Sequence, residues 1–341
     1  MSSLKPIDIV GGGLAGLSLG LALRREGVPV TLHESGAYPR HRVCGEFITG
    51  LSATTIARLQ LGPHLHDALA HREVAWFIDG HPPSIQQLPA PALGLSRYTL
   101  DARLAAAFTA AGGELRQHTR VTDDSPRSGR IFTNGRRQQG RSPWLGLKIH
   151  ALDLPLERDL ELHLGDQAYV GLARVEDGRV NVCGLFRRRK LSAPGGALIL
   201  QYLEAAGLPL LAGRLRSVRF DDASFSAVAA LSFDSRVPPS GSVQLGDACV
   251  MIPPFTGNGM AMAFQGAETA LTPLLAYARG QADWRATGRL IRSRLSKRYR
   301  LRLASARLLH PYLLQHRRQR WLSNLARARL LPLKSLYAIL H

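Results

Sequence analysis

A glycine-rich hexapeptide that begins at Gly11, Gly-Gly-Gly-Leu-Ala-Gly, has a spacing that suits phosphate binding. It fits the pattern GxGxxG, in which Gly11 permits a tight turn and Gly13 lets the backbone approach a pyrophosphate. Gly16 lets the following helix pack closely against a strand. Leu14 and Ala15 fill variable positions at the predicted helix N-terminus, where free N–H groups bind phosphate oxygens. The hexapeptide therefore predicts a dinucleotide-binding turn.

The residues around the hexapeptide predict the βαβ unit that must position it. Residues 7–10 form a β-prone run, residues 17–25 predict a helix, and residues 28–32 predict a second strand. Glu34 follows that strand, 18 residues after Gly16, where a carboxylate can accept hydrogen bonds from an adenosine ribose and repel a 2′-phosphate. The motif alone does not separate FAD from NAD, and a glycine-rich turn without a ligand is the alternative.

A second glycine-rich segment lies far along the chain. Residues 245–249 predict a strand that ends in Gly246 and Asp247, and residues 261–277 predict a helix. The turn that leads into this helix contains Thr256, Gly257, Asn258 and Gly259. An aspartate at a strand end can hold a ribityl hydroxyl, and a helix N-terminus directs N–H donors and a positive dipole at one point. Such a point suits the negatively charged N1–C2=O edge of a reduced flavin.

Further segments complete a pattern that resembles a known group of proteins. They are a Pro-Arg-His-Arg run at 39–42, a Cys-Gly-Glu-Phe run at 44–47, and an Arg-Tyr-Thr-Leu-Asp run at 97–101 before a predicted helix at 102–111. With the glycine-rich segments, they make the chain resemble the p-hydroxybenzoate hydroxylase-like superfamily of FAD-dependent oxidoreductases over residues 5–280. Within it, the geranylgeranyl reductase-related branch is most similar. These motifs are specific for FAD and much less specific for the reaction.

The resemblance implies how FAD would be held. The residues implied at its ADP half are Gly11, Gly13, Gly16 and Glu34. Those implied near the ribose, pyrophosphate or ribityl chain are Arg40, Arg97, Gly246 and Asp247. Those implied along the isoalloxazine ring are Thr256, Gly257, Asn258 and Gly259. Because the chain has no second GxGxxG, NAD(P)H would dock transiently as an electron donor, or a separate reductase or quinone would exchange electrons.

Cys44 is the catalytic candidate that the resemblance offers, since this segment falls beside the flavin ring in the related branch. A basic neighbourhood of Arg40, His41 and Arg42 would lower the pKa of its thiol if folding brings these residues close. The alternative is that Cys44 is a small buried apolar residue, as we expect for the other two cysteines.

The fold class implied is α/β, with a Rossmann-like FAD-binding domain interleaved with an antiparallel-sheet substrate domain and a helical C-terminal segment. The three parts are the FAD-binding domain at 1–72, 97–143 and 240–280, the substrate domain at 73–96 and 144–239, and the basic helical segment at 281–341. Alternating residues support the substrate sheet. The predicted strands lie at 73–80, 144–150, 160–164, 168–175 and 180–186, with a hairpin turn at 176–179.

Departures from the family pattern bear on the reaction. Asn134 stands where related flavoproteins have the aspartate of a Gly-Ala-Asp-Gly strand end, and the stretch 113–135 is too short for the usual three-stranded excursion. At 169–174 the chain keeps only the tyrosine of the Tyr-x-Trp-x-Phe-Pro signature of geranylgeranyl reductases, so the substrate need not be a geranylgeranyl chain. The Trp-x-Trp-x-Ile-Pro signature of flavin-dependent halogenases is absent. We interpret Lys148 as a charge at a strand edge.

The composition is that of a globular chain with a basic tail. The 341 residues have a hydrophobic fraction of 45% and a formal net charge of +19, and residues 281–341 hold 15 Lys or Arg and one acid. No uninterrupted apolar run reaches the ~18 residues that a membrane span needs. The 3 cysteines lack a CxxC pair, which argues against a metal site or a disulfide framework and favours the cytoplasm.

The basic tail has three interpretations. Apolar residues recur at helical spacing between the arginines, and Pro311 and Pro332 divide the segment into about three predicted helices. A helical layer over the substrate domain is favoured, and peripheral contact with an anionic membrane comes next. Nucleic acid is the least favoured partner, because no recognition module accompanies the charge.

We predict an FAD-dependent oxidoreductase that acts on a hydrophobic small molecule, such as an isoprenoid, a polyketide or a quinone-like ring. The alternative is an aromatic monooxygenase that uses NAD(P)H and oxygen. A non-catalytic flavin-fold binding protein is a further interpretation, motivated by Asn134 and the short stretch 113–135. An NAD-dependent dehydrogenase is disfavoured, because Gly246, Asp247 and the turn at 256–259 would have no role.

Overall fold

The computed structural model of the chain describes residues 3–78, 82–135, 142–233, 241–315, 317–319, 321 and 338–339. Its strands are β1 (Ile7–Val10), β2 (Val30–His33), β3 (Phe47–Ile48), β4 (Leu69–Ile78), β5 (Ser84–Gly94), β6 (Glu114–Arg116), β7 (Arg130–Phe132), β8 (Trp144–Leu152), β9 (Leu160–Gly165), β10 (Ala168–Arg174), β11 (Arg179–Arg187), β12 (Arg219–Leu231) and β13 (Val243–Gln244). Its α-helices are α1 (Leu14–Arg25), α2 (Ala53–Leu59), α3 (Gly62–Leu65), α4 (Arg97–Ala110), α5 (Gly195–Ala205), α6 (Pro209–Arg216), α7 (Gly259–Ala278) and α8 (Trp284–Leu314). Short 3₁₀ helices cover Gly246–Ala248 and Pro254–Thr256.

The first sheet contains five parallel strands in the order β13-β7-β1-β2-β6. Helix α1 connects β1 to β2 and packs against α4 and α7, and Ile9 and Leu17 are fully buried in this core. This is the βαβ unit predicted from residues 7–34. The helix begins at Leu14, earlier than predicted, because Gly13 is its N-cap.

The second sheet contains eight strands in the order β12-β8-β11-β10-β9-β4-β5-β3. Its pairings are antiparallel except that of β4 with β9, which is parallel. Helices α5 and α6 share a hydrophobic core with β8, β10 and β11 that includes Val170, Val182 and Leu203. The strand predicted at 73–80 lies in this sheet as far as Ile78, and its last two residues lie outside the described residues. The strands predicted between residues 144 and 186 also lie in this sheet. The predicted α/β fold class is therefore confirmed.

The chain passes between the two sheets more than once. Residues 1–72 supply β1 and β2 to the first sheet and β3 to the second, where Phe47 pairs with Gly94 of β5. Residues 97–135 return to the first sheet with β6 and β7. The run at 39–47 therefore connects the two sheets. The domain limits proposed from the sequence stay a prediction.

The basic C-terminal region begins with one long helix. Helix α8 continues through Pro311 to Leu314, so the prediction that this proline divides it is wrong. The proline lies in the last turn, where its missing N–H removes only one intrahelical bond near the helix end. Pro332, the second predicted boundary, lies outside the described residues.

Helix α8 is attached to the core through α7. The hydroxyl of Tyr299 donates to the carbonyl oxygen of Met262 at 2.9 Å, and the Nη1 atom of Arg302 donates to Oε1 of Gln265 at 2.8 Å. The helix also contacts β13 of the first sheet and β9 and β10 of the second. In the described ranges no helix combines the length and apolarity that crossing a membrane requires.

Candidate functional site

The two glycine-rich segments meet at the start of α1. A β-carbon built on Gly246 would lie 3.3 Å from the Cβ atom of Ala15. Gly246 has a φ of +59°, in the left-handed region that favours glycine. The prediction of a strand at 245–249 is wrong, because β13 ends at Gln244 and a short 3₁₀ helix covers Gly246–Ala248. Asp247, in this turn, is exposed and directly follows Gly246, the residue that lies near Ala15.

The turn after β1 shows the close backbone contacts that its glycines predict. A β-carbon on Gly11 would lie 2.4 Å from the backbone nitrogen of Asn134, and one on Gly16 would lie 2.1 Å from the carbonyl oxygen of Gly11. The hydroxyl of Thr133 donates to that carbonyl at 2.5 Å. Because Asn134 contributes backbone atoms to this contact, the replacement of the usual aspartate leaves the contact intact.

The N-terminus of α1 is open to a ligand. Gly13 is its N-cap, and no side chain among the described residues caps the helix there. A β-carbon on Gly13 would have one near neighbour, the Nη2 atom of Arg97 at 4.0 Å. Free N–H groups, the positive end of a helix dipole and a guanidinium therefore surround one space, which suits phosphate oxygens.

Glu34 is buried directly after β2, at its predicted place. Its Oε2 atom accepts a hydrogen bond from the N–H of Gly12 and its Oε1 atom one from the N–H of Gly36, both at 2.9 Å. The Nη2 atom of Arg40 lies 2.9 Å from Oε1, and that of Arg42 lies 3.2 Å from Oε2. Burial would raise the pKa of Glu34, but Arg42, the two N–H donors and Arg40 together lower it. The carboxylate is therefore charged at neutral pH and held in a fixed orientation.

An arginine–aspartate network joins Glu34 to α4. Arg97 donates through Nε and Nη2 to both carboxylate oxygens of Asp101, each at 2.7 Å. Arg42 bridges Asp101, at 3.0 Å, and Glu34, at 3.2 Å. The helix predicted from residue 102 begins at Arg97 instead, because the side chain of Ser96 caps it. Asp101 thus lies in the second turn as an ion-pair residue, and Arg97 is placed toward Gly13.

The turn that leads into α7 packs against β3 and the residue after it. A β-carbon on Gly257, whose φ is +67°, would lie 2.3 Å from the ring of Phe47. The hydroxyl of Thr49 hydrogen-bonds the carbonyl oxygen of Thr256 at 3.2 Å and Oδ1 of Asn258 at 3.4 Å. Asn258 is fully buried and immediately precedes α7. The structure thus brings the turn at 256–259 beside the Cys-Gly-Glu-Phe run, as the resemblance implied.

Cys44 lies close to Arg97 and β11. The Nδ2 atom of Asn181 donates to the carbonyl oxygen of Cys44 at 2.9 Å. Burial raises the pKa of the Cys44 thiol in spite of the nearby Arg97 guanidinium. The expected lowering by Arg40 and Arg42 is wrong, because both guanidiniums are bound to carboxylates instead. A catalytic role for Cys44 stays a prediction.

The structure also contains a group of buried titratable side chains that the sequence interpretation missed. The Nζ atom of Lys148 lies 3.4 Å from Oε1 of Glu46, and Nε2 of His150 lies 2.6 Å from Oε2 of Glu46, with all three side chains fully buried. Nζ of Lys148 also lies 3.1 Å from Nδ1 of His41. The three buried residues and the partly buried His41 form what we call the buried cluster. Lys148 is not at a strand edge, because β8 pairs with both β11 and β12.

The backbone and the charges of the buried cluster are both unusual. Glu46 has a φ of +56°, a conformation that costs energy in a non-glycine residue, and its Oε1 atom accepts the N–H of Arg97 at 3.1 Å. Burial lowers the pKa of Lys148 in spite of Glu46. Burial, with Lys148 and His150, lowers the pKa of His41 to about 4. Alternation along a strand could have shown that Lys148 and His150 share one face.

An aromatic cluster lies on the substrate-sheet side of the turn at 256–259. It comprises Trp144 of β8, Tyr169 of β10, Phe255 before the turn, and His310 of α8. The ring centroids of Tyr169 and Phe255 are 6.3 Å apart, those of Phe255 and His310 are 6.1 Å apart, and those of Trp144 and His310 are also 6.1 Å apart. Tyr169 is the residue that the chain shares with the reductase signature. The cluster gives this region an apolar surface next to Thr256.

The site residues fit an FAD-type dinucleotide. Gly13 leaves space at an uncapped helix N-terminus, Glu34 presents a fixed carboxylate, and Asp247 is exposed beside them. Gly259, the first residue of α7, is also exposed. N–H donors and a guanidinium match phosphate oxygens, and carboxylates match hydroxyl groups. A ribose at Glu34 would replace one contact from Arg40, because both carboxylate oxygens already accept hydrogen bonds.

Comparison with known proteins identifies the fold. No protein-family model matches the chain, and no curated protein matches its sequence. Solved structures do match. The flavin-dependent brominase Bmp2 has a TM-score of 0.77 at 16% identity, covering 99% of this chain and 93% of that one. PqsL of P. aeruginosa, in complex with 2-aminobenzoylacetate, has a TM-score of 0.71 at 16% identity, covering 93% of this chain and 98% of that one.

A third similar structure comes from the branch that the sequence resembles. A geranylgeranyl bacteriochlorophyll reductase-like protein from Thermoplasma acidophilum has a TM-score of 0.73 at 15% identity, covering 94% of this chain and 91% of that one. At these identities the likeness is one of fold. The chain therefore has the fold of FAD-dependent oxidoreductases, as its sequence predicts.

Proposed function

We propose that the chain is an FAD-dependent oxidoreductase that acts on a hydrophobic small molecule in the manner of geranylgeranyl reductases. The observation that carries the proposal is the contact of Gly246 with Ala15, which joins the two glycine-rich segments at the open N-terminus of α1. The named activities of similar structures, a flavin-dependent brominase, a probable FAD-dependent monooxygenase and a reductase-like protein, support the cofactor.

The chain's own residues would bind and orient FAD, which supplies two-electron redox chemistry when bound. Gly13 and Arg97 would hold the pyrophosphate, since free N–H groups and a guanidinium flank one space there. Glu34 would accept hydrogen bonds from the ribose, and Asp247 would hold a ribityl hydroxyl. Asn258, buried directly before α7, would place the ring at the positive end of that helix dipole.

The aromatic cluster supports a hydrophobic substrate. Tyr169 and His310 are buried. Phe255 is the residue immediately before the turn that would line the flavin ring. Aromatic rings pack against flat or branched hydrocarbon without requiring a polar partner on each face. The side chains would also exclude water from the reacting centre. An isoprenoid, a polyketide or a quinone-like ring fits this chemistry.

A second candidate function is aromatic hydroxylation with NAD(P)H and oxygen. The likeness to a probable FAD-dependent monooxygenase, which covers 98% of that chain, favours it. The two reactions differ in their need for oxygen. If the chain is a reductase, NADPH will be consumed with a suitable substrate in the absence of oxygen. If it is a monooxygenase, substrate-triggered NADPH oxidation will stop when oxygen is removed.

Free cysteines support a cytoplasmic location. Cys44, Cys183 and Cys249 are all unpaired in the structure. Disulfides are rare where thioredoxin and glutathione keep thiols reduced. We therefore propose a cytoplasmic location, which cell fractionation with a cytoplasmic marker protein tests.

The absorbance spectrum of the purified chain with added FAD tests the cofactor. After unbound FAD is removed, the expected result is a yellow protein with one flavin per chain. Gly13→Ala should lower FAD retention and cost only about 1 kcal/mol of stability, because Gly13 is the N-cap of α1 but the space above it is open. Gly213→Ala, where an added β-carbon meets nothing within 4 Å, is the matched control. A protein that stays colourless with FAD would support the non-catalytic binding protein instead.

A further inference from the structure

Helix α8 has a line of exposed residues that the proposed function does not use. Leu290, Leu301 and Leu308 are 43%, 68% and 70% exposed. Their spacing places them within roughly 20° of one line along the helix, at 100° of rotation per residue. Arg294 and Lys297 are exposed within roughly 40° of Leu290, on the same side of the helix. These five residues form the outer line of α8.

The outer line lies on a helix of one charge sign. Helix α8 contains 9 Lys or Arg and no Asp or Glu. Arg289 and Arg300 are exposed beside the outer line. Salt bridges would neutralise such a face, but neither Arg294 nor Lys297 has one with any residue that the structure describes. The surface therefore combines positive charge without ion-pair partners among the described residues with aliphatic side chains that are partly exposed to water.

A cleft of about 260 Å³ opens beside this line, between α2, α7 and α8. The residues that line it are Arg58, Glu268, Thr269, Thr272, Arg294 and Arg298. Glu268 accepts a hydrogen bond from Thr55 at 2.9 Å and forms ion pairs with Arg298 at 2.9 Å and Arg58 at 3.6 Å. Because three arginines face one carboxylate, the cleft keeps a net positive charge. Arg294 belongs to both the cleft and the outer line.

These observations favour one occupant over the alternatives. A face that only contacts solvent does not explain the leucines, because an exposed leucine contributes favourable free energy only when apolar material removes it from water. Nucleic acid would use the cations, but phosphate contacts do not bury three aliphatic side chains. The boundary of an anionic bilayer satisfies both groups, because it offers acyl chains beneath a layer of phosphates.

We propose that the outer line of α8 docks on an anionic lipid bilayer. The three leucines enter the acyl boundary, Arg294 and Lys297 contact lipid phosphates, and the cleft receives one phosphate headgroup. Docking would bring α8, whose opposite face contributes His310 to the aromatic cluster, to the source of lipid-like molecules. The docking itself does not depend on the proposed enzymatic function.

Sedimentation with vesicles tests the proposal on the full chain. The protein should sediment with phosphatidylcholine vesicles that contain phosphatidylglycerol and not with phosphatidylcholine alone. Raising the salt concentration should weaken the binding, because screening shortens the reach of the cations. Leu301→Ser and Leu308→Ser should each weaken it about tenfold, since burying one leucine is worth roughly that factor. Leu210→Ser, at a 79% exposed leucine on α6, is the matched control.

A second pair of variants tests the charges. Arg294→Gln with Lys297→Gln should weaken binding about tenfold or more, while Arg72→Gln with Arg120→Gln, the same change at exposed arginines elsewhere, should not. Circular dichroism confirms that each variant folds. Equal binding to neutral vesicles, or leucine variants that bind like the unchanged protein, would overturn the proposal. So would tighter binding to a DNA duplex than to vesicles with no effect of the leucine variants.

Discussion

Removing the charge of Glu46 should strongly destabilise the chain. Glu46, Lys148 and His150 are fully buried, with 3.4 Å between Oε1 of Glu46 and Nζ of Lys148. In Glu46→Gln the ammonium of Lys148 loses its only carboxylate within ion-pair distance among the described residues. Breaking a buried pair in this way costs about 3–5 kcal/mol of the free energy of unfolding. Urea unfolding at neutral pH, followed by circular dichroism, measures this loss.

Two control variants separate this effect from a general loss of packing. Glu73→Gln breaks the partly exposed pair with Arg158, whose atoms lie 3.3 Å apart, and should cost less than about 1 kcal/mol. Glu46→Gln combined with Lys148→Met removes both charges and should recover more than about 1 kcal/mol, because no unpaired ammonium remains. The reasoning is refuted if Glu46→Gln costs no more than Glu73→Gln, or if the double variant is no more stable than Glu46→Gln.

Further predictions concern pH, reactivity and the first turn. His163 and Arg214 lower the pKa of Glu161 to about 2 against its burial. Glu161 therefore stabilises the fold above the ordinary glutamate pKa, and up to ~3 kcal/mol of this stability is lost as the pH falls from that ordinary pKa to about 2. Acid unfolding of Glu161→Gln should lack this loss. The raised pKa of Cys44 predicts slower alkylation by iodoacetamide at neutral pH than a free thiol, read by mass spectrometry. Gly16→Ala, whose β-carbon would lie 2.1 Å from a carbonyl oxygen, should lower the free energy of unfolding by about 3 kcal/mol. An unchanged melting temperature would contradict the close packing of this turn.

The glycine-rich segments were predictable because their information is local. Gly11 and Gly16 have close contacts with their own turn and with the end of the adjacent strand. The short GxGxxG pattern is enough to predict that both positions need glycine. The meeting of Gly246 with Ala15 followed from the resemblance rather than from periodicity. The start of α4 at Arg97 could have been predicted too, because Ser96 is a favourable N-cap residue.

The buried cluster was not predictable from the sequence in the same way. Lys148 is buried because β12 pairs with β8, although more than sixty residues separate the two strands in sequence. No local sequence pattern indicates which distant strand will pair with β8. Glu46 directly precedes β3 and contacts His150 of β8, although these two strands are not neighbours in the second sheet. The pKa of Cys44 depends on tertiary packing too, since burial raises it while Arg40 and Arg42 form ion pairs with carboxylates.

The dissociation constant for FAD, measured by the change in flavin fluorescence, tests most directly whether both glycine-rich segments hold one cofactor. The account predicts one FAD per chain and a binding at least tenfold weaker in Asp247→Ala, which loses a charge-assisted hydrogen bond worth about 1.5–3 kcal/mol. Asp166→Ala, at another exposed aspartate, should bind FAD like the unchanged chain. An Asp247→Ala variant that binds FAD as tightly as the unchanged chain would contradict the account.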